Sequence, residues 1–191
     1  MSVPCYPDFA PLDMDLKDSL HPRLSLTPDG VSEFTFSGLY LFRNRYQYRV
    51  SRESDGSFII SGVQPADHGH GPEGRFFMTP CGVPNWDVLE DLFKTHDYWK
   101  NISDTVLASR REELAERGVG IAEDRDNFDY LYLREELAEL KGKRFHKKKN
   151  LVNQFLNAYA VYEGKQLTTE LVPQALEVLD RWRQDKGEDG D

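Results

Sequence analysis

The chain has 191 residues and a formal net charge of −9, from 33 acidic and 24 basic side chains, and it is 39% hydrophobic and 12% aromatic. That length can bury the core of one domain, and the aromatic content excludes a disordered acidic chain. Two cysteines, Cys5 and Cys81, exclude a disulfide scaffold and cannot by themselves build a structural zinc site.

At the N-terminus, Asp8, Asp13 and Asp15 stand where a signal peptide would be basic, so a soluble, cytoplasmic protein is expected. The longest uncharged apolar run, residues 34–42, is too short to cross a bilayer. Residues 32–43 are ambiguous: their aromatics suggest a strand, yet Ser32 could cap a helix with Phe36, Leu39 and Tyr40 inward. Tyr46, Tyr48 and Val50 alternate with polar residues, Ser54-Asp55-Gly56 supplies a turn, and Ser57-Phe58-Ile59-Ile60 resumes an apolar run, which together predict a hairpin. Residues 65–74 read as loop and 75–79 as a short strand. Asn85 predicts a helix N-cap, with Trp86, Leu89, Leu92 and Phe93 at helical spacing. Ser103 caps a second helix that Gly118 ends. Short strands are expected at 119–122, at 128–132 and at 158–163. A short helix runs over 134–141 to Gly142, another begins near His146 with Leu151, Val152, Phe155, Leu156 and Tyr159 on one face, and a last one carries Val172, Ala175, Leu176, Leu179 and Trp182. Pro173 leaves the start of that last helix open.

Intermingled strands and helices predict an α/β or α+β layer, a mixed sheet flanked by helices. A single lobe over 1–184 with a polar, frayed tail over 185–191 is expected.

The charge is segregated. Lys141, Lys143, Arg144, Lys147, Lys148 and Lys149 put six positive charges into nine residues, with His146 among them and no acid between, so the remainder of the total of −9 is −15. The overall acidity argues against a general nucleic-acid binder, but this segment does not. Cations in a first helical turn oppose the helix dipole and repel one another, which costs stability unless an anion sits there. Helix N-termini also present unpaired N–H groups that bind phosphate or carboxylate. The alternative is a solvated basic turn paired with acids such as Glu135 and Glu136.

A second polar concentration, Glu123-Asp124-Arg125-Asp126-Asn127-Phe128-Asp129-Tyr130, offers bases or cation ligands, or structural pairing. Asp126, Asp129 and Tyr130 are its candidates for catalysis. Other motifs fail on context. Arg117-Gly118-Val119-Gly120-Ile121-Ala122 matches a coenzyme A pyrophosphate loop, but follows a helix instead of opening one. His68 and His70 give two ligands in a glycine loop, and no metal site is expected. Cys81 has no histidine partner in sequence and reads as a buried or loop thiol.

Three blocks carry a family resemblance. Ser32-Glu33-Phe34-Thr35-Phe36-Ser37-Gly38-Leu39-Tyr40, Asp124-Arg125-Asp126-Asn127-Phe128-Asp129-Tyr130-Leu131-Tyr132 and Leu140-Lys141-Gly142-Lys143-Arg144-Phe145-His146-Lys147-Lys148-Lys149-Asn150 stand in the order of motifs in an uncharacterised bacterial family. That family is similar to the C-terminal catalytic domain of phosphatidylglycerol lysyltransferase. Gly38 stands where the family has Asn. The resemblance implies tandem N-acetyltransferase (GNAT)-like lobes and a transferase that moves an aminoacyl group from tRNA onto lipid or peptidoglycan precursors. It covers nearly the whole chain but only the first part of a family member, so one lobe is expected here and a second lobe is an expected partner. It tips residues 32–43 towards helix. The expected anion site comprises Lys141, Lys143, Arg144, His146, Lys147, Lys148, Lys149 and Asn150, holding tRNA or an anionic lipid headgroup. The donor would be aminoacyl-tRNA or acyl-CoA, and membrane attachment peripheral at most. The chemistry implied is attack of an amine on an activated ester, which needs a general base and an oxyanion donor. The other reading is a non-catalytic module that docks an anionic partner or a separate second lobe.

Overall fold

The predicted hairpin forms between β2 (Arg49–Arg52) and β3 (Phe58–Gln64), antiparallel, with Val50 opposite Ile60 and Arg49 opposite Ser61. Gly56 supplies the turn at φ +88°, and Asp55 Oδ1 accepts a hydrogen bond from Ser57 N at 2.8 Å. β1 (Ala10–Pro11) pairs with β2, and β4 (Gly74–Met78) pairs antiparallel with β3. β5 (Tyr98–Trp99) lies parallel to β4. Parallel neighbours need a crossover, and α3 (Trp86–Thr95) lies in that connection. The result is a five-stranded mixed sheet in the order β1-β2-β3-β4-β5, and the fold is mixed α/β. The computed structural model describes residues 2–26, 31–66 and 73–187. The chain divides into two compact units, Met1–Tyr130 and Leu131–Asp191.

In the first unit the sheet is covered on both faces, which is why Phe58-Ile59-Ile60 is apolar without alternation. Val50, Phe58, Ile60, Phe76 and Met78 pack with Leu20 and Leu24 of α1 (Lys17–Leu24) and Phe36 and Leu39 of α2 (Phe36–Leu41). Ile59 and Phe77 pack with Leu89 and Leu92 of α3. Asn85 caps α3 by accepting from Val88 N at 3.1 Å. Ser103 likewise caps α4 (Asp104–Glu116), and Gly118 follows that helix at φ +71°.

The ambiguous stretch 32–43 is helical. A 3-10 turn (Ser32–Phe34) precedes α2, and the capping side chain is Thr35, not Ser32: its Oγ1 accepts from Gly38 N at 3.1 Å. Three expected strands are corrected. Residues 119–122, 128–132 and 158–163 form no strand. All five strands of the sheet lie before residue 100, so these runs have no ladder to join. Ala158 instead ends a helix. The loop at 65–74, with His68 and His70, lies mostly outside the described residues.

The second unit holds α5 (Arg134–Glu139), α6 (His146–Ala158) and α7 (Val172–Lys186). Leu140 at φ 48° and Gly142 at φ 91° end the first of these. A 3-10 turn (Lys143–Phe145) leads into α6, and a second (Thr169–Leu171) into α7, which places Pro173 in a first turn where it is tolerated. No residue of α5, α6 or α7 is buried; Phe145 is.

Candidate functional site

The basic segment occupies the entry to α6. His146 N–H donates to Lys143 O, so the helical path starts one 3-10 turn earlier than the apolar spacing predicts. The four residues His146, Lys147, Lys148 and Lys149 then form the first α-helical turn, with no acid among them and no capping side chain. Two of the six cations are paired. Lys141 Nζ lies 2.6 Å from Glu139, and Arg144 bonds Glu136. Arg144 also covers the Phe145 ring, 4.8 Å from its centroid. Lys143, Lys147, Lys148 and Lys149 make no ion pair among the described residues and are exposed. Asn150 is exposed on the next turn. Pairing with neighbouring glutamates therefore accounts for Lys141 and Arg144 alone.

The carboxylate segment belongs to the first unit. Both oxygens of Asp129 are engaged: Oδ2 accepts from Ser32 N and Oδ1 from Ser32 Oγ, each at 2.7 Å. The first two motif blocks, 97 residues apart at this contact, are thus joined in space. Asn127 Nδ2 donates to Asp124 Oδ2 at 2.7 Å, and Arg125 lies over the Phe128 ring. Tyr130 is almost fully exposed, and the side chain of Asp126 lies outside what is described.

Beside Ser32 stands a residue the sequence reading did not single out. Glu33 is half-buried, and its Oε2 accepts from Asn101 Nδ2 at 3.1 Å. Burial pushes its carboxyl above the usual range, opposed by the charge of Lys100 and reinforced by Asp129. Lys100 lies over the rings of Phe76 and Tyr46, 5.2 and 5.6 Å from their centroids. Asn101 also lines an apolar cleft of about 300 Å³ with Phe34, Trp99, Ile102 and Val106. The signal for Glu33 was its place inside the first block; what hid it was that its partners lie far along the chain.

A second cleft, of about 650 Å³, opens on the α3 face of the sheet. Arg49, Ser61, Arg75, Asp91 and His96 line it. Ser61 and His96 are 5% and 7% exposed, and Ser61 Oγ lies 2.8 Å from His96 Nε2. Burial pushes the His96 imidazole below its usual range, and Arg75 adds to this, against the Leu92 carbonyl bond and the charge of Asp97. Sequence reading passed over this histidine, whose signal was its position directly after the last turn of a predicted helix. Among the described residues no group of three or more His, Cys, Asp or Glu side chains is placed to hold a metal ion. None of the described helices is long and apolar enough to cross a membrane.

Residues 25–191 match the family model described as phosphatidylglycerol lysyltransferase, C-terminal. No curated protein and no solved structure matches the chain.

Proposed function

The chain belongs to the phosphatidylglycerol lysyltransferase C-terminal family, and on that premise we propose that it is a GNAT-like lobe of an acyl- or aminoacyltransferase whose basic segment holds the phosphate of its substrate. The observation that carries this reading is the entry to α6. Four exposed lysines, Lys143, Lys147, Lys148 and Lys149, cluster there without ion-pair partners among the described residues. Like charges at that density repel one another and oppose the helix dipole, so a phosphate stabilises the segment that bears them. The phosphodiester of an anionic lipid headgroup and the backbone of an aminoacyl-tRNA both supply that group.

Transfer from an activated ester needs a base for the attacking nucleophile. Within the first unit, taken by itself, Glu33 is the candidate for that base, because burial raises its carboxyl and makes it the better proton acceptor. Asp129 is a positioning residue: its two bonds to Ser32 fix the backbone next to Glu33.

Replacing Lys147, Lys148 and Lys149 with Ala tests the reading. Binding to tRNA and to phosphatidylglycerol vesicles, followed over a salt series, is expected to weaken with the slope against log salt shallower by about two to three. Unchanged affinity and slope for both would overturn the anion site.

A second reading is favoured by one specific observation. The apolar faces of α6 and α7 are exposed, including Leu151, Phe155, Leu176 and Trp182. Isolated helices of this length are marginal in water, so these faces support a module that docks a partner, such as a second lobe, without catalysis of its own.

A further inference from the structure

The hydrogen-bond directions at His96 are fixed by its surroundings. Nδ1 lies 3.0 Å from the Leu92 carbonyl, which can only accept, so Nδ1 carries the proton. Thr95 Oγ1, also 3.0 Å from Nδ1, bonds the same carbonyl at 3.2 Å. In the neutral ring Nε2 therefore presents a lone pair, and the Ser61 hydroxyl, 2.8 Å away, is the donor. This is the polarity of an activated nucleophile: a hydroxyl on a base, and the base oriented by a third group. A serine placed merely to satisfy a buried histidine would not need to line an open cleft, yet Ser61 and His96 line the same one, on the α3 face of the sheet. Arg49 lines that cleft too, directly across the β2–β3 ladder from Ser61. Cross-strand neighbours on one face have Cβ atoms about 5 Å apart, so a guanidinium is at hand for charge that develops next to the serine. One guanidinium N–H is used on Phe9 O at 2.6 Å, and among the described residues the others have no partner.

We propose that Ser61 and His96 form a nucleophile–base pair that takes an acyl group from a carboxylic ester, with Arg49 as the donor to the oxyanion. Ser61 Oγ attacks the ester carbonyl and a new C–O bond forms. The hydroxyl proton passes to His96 Nε2. As the tetrahedral species collapses, the bond to the leaving oxygen breaks and the imidazolium returns that proton to it, giving an acyl-serine and an alcohol. Water or an amine then releases the acyl group along the same proton path in reverse. This site shares no residue with Glu33 or the lysine cluster, so it stands or falls apart from the transferase reading.

The full chain treated with p-nitrophenyl acetate tests it. A burst of p-nitrophenolate is expected, with an acetyl adduct that fragmentation mass spectrometry places on Ser61 and not on the nearby Ser54 or Ser57. His96→Asn is expected to slow the burst about a hundredfold or more, and Arg49→Gln to slow it while leaving the adduct on Ser61. The location of the adduct is read on the unaltered chain. No adduct on Ser61, or one that forms at the same rate in a folded His96→Asn chain, overturns it.

Discussion

Glu33 and Asp129 show how two carboxylates in neighbouring motifs divide into different kinds of work. Asp129 accepts two short hydrogen bonds from Ser32 and so fixes a turn. Glu33 accepts one from Asn101 and carries the cost of desolvation. Its folded pKa lies above the unfolded one, so its contribution to stability is fully present below the usual glutamate range. That contribution is lost as pH rises through the folded value. At neutral pH the charge is therefore a burden, and Glu33→Gln, which keeps an acceptor for Asn101, is expected to raise the melting temperature at pH 7. The gain is expected to shrink as pH falls from the raised folded value to the usual glutamate range and to be gone below that range. Thermal unfolding of both chains across that interval checks it, and a loss of stability at neutral pH would show that the Lys100 charge outweighs burial.

The elements of the first unit are set by the two faces of one sheet. Phe76 and Phe77 point to opposite cores, and Gly62, opposite Phe76 in the ladder, leaves room for its ring. A Cβ at position 62 would meet Phe76 Cζ at 2.6 Å. The ring is fully buried and has nowhere to retreat, so Gly62→Ala is expected to cost about 1–3 kcal/mol, read from urea unfolding midpoints at unchanged m-value. At this scale local chemistry also explains where the sequence spoke clearly. Asn85 and Ser103 cap their helices because a short side-chain oxygen reaches the N–H three residues on. Residues 128–132 alternate as a strand would, but a strand exists only where a neighbour offers its hydrogen bonds. β5, only two residues long, exists because β4 offers them.

At the scale of the whole molecule the two units differ in what holds them. The first has buried clusters on both faces of its sheet. The second buries Phe145 but exposes most of its large apolar side chains, to 97% at Leu131 and 94% at Val161, and α5, α6 and α7 bury none. Local opening follows burial, so limited proteolysis of the free chain is expected to cut first within residues 131–187 and to leave a resistant fragment ending near Tyr130. Resistance spread evenly along the chain would contradict this. The hairpin, the caps of α3 and α4, the helical faces of α6 and α7 and the lysine cluster were all legible in the sequence, because each is written within a few residues by turn chemistry, side-chain reach or periodicity. The motif blocks were legible as well, and with them the family. Which groups meet was not. Ser61 reaches His96 across 35 residues, and Ser32 reaches Asp129 across 97. Strand register and the β4–α3–β5 crossover decide the first meeting, and the path of the chain after α4 decides the second. Local patterns carry no information about such closures, because their partners are chosen by how the layers pack. The sequence by itself determined the hairpin, the main helices and the charge they carry; the tertiary structure alone decided which apolar runs became strands, that a serine would face a histidine in a cleft, and that a glutamate would be buried beside an asparagine.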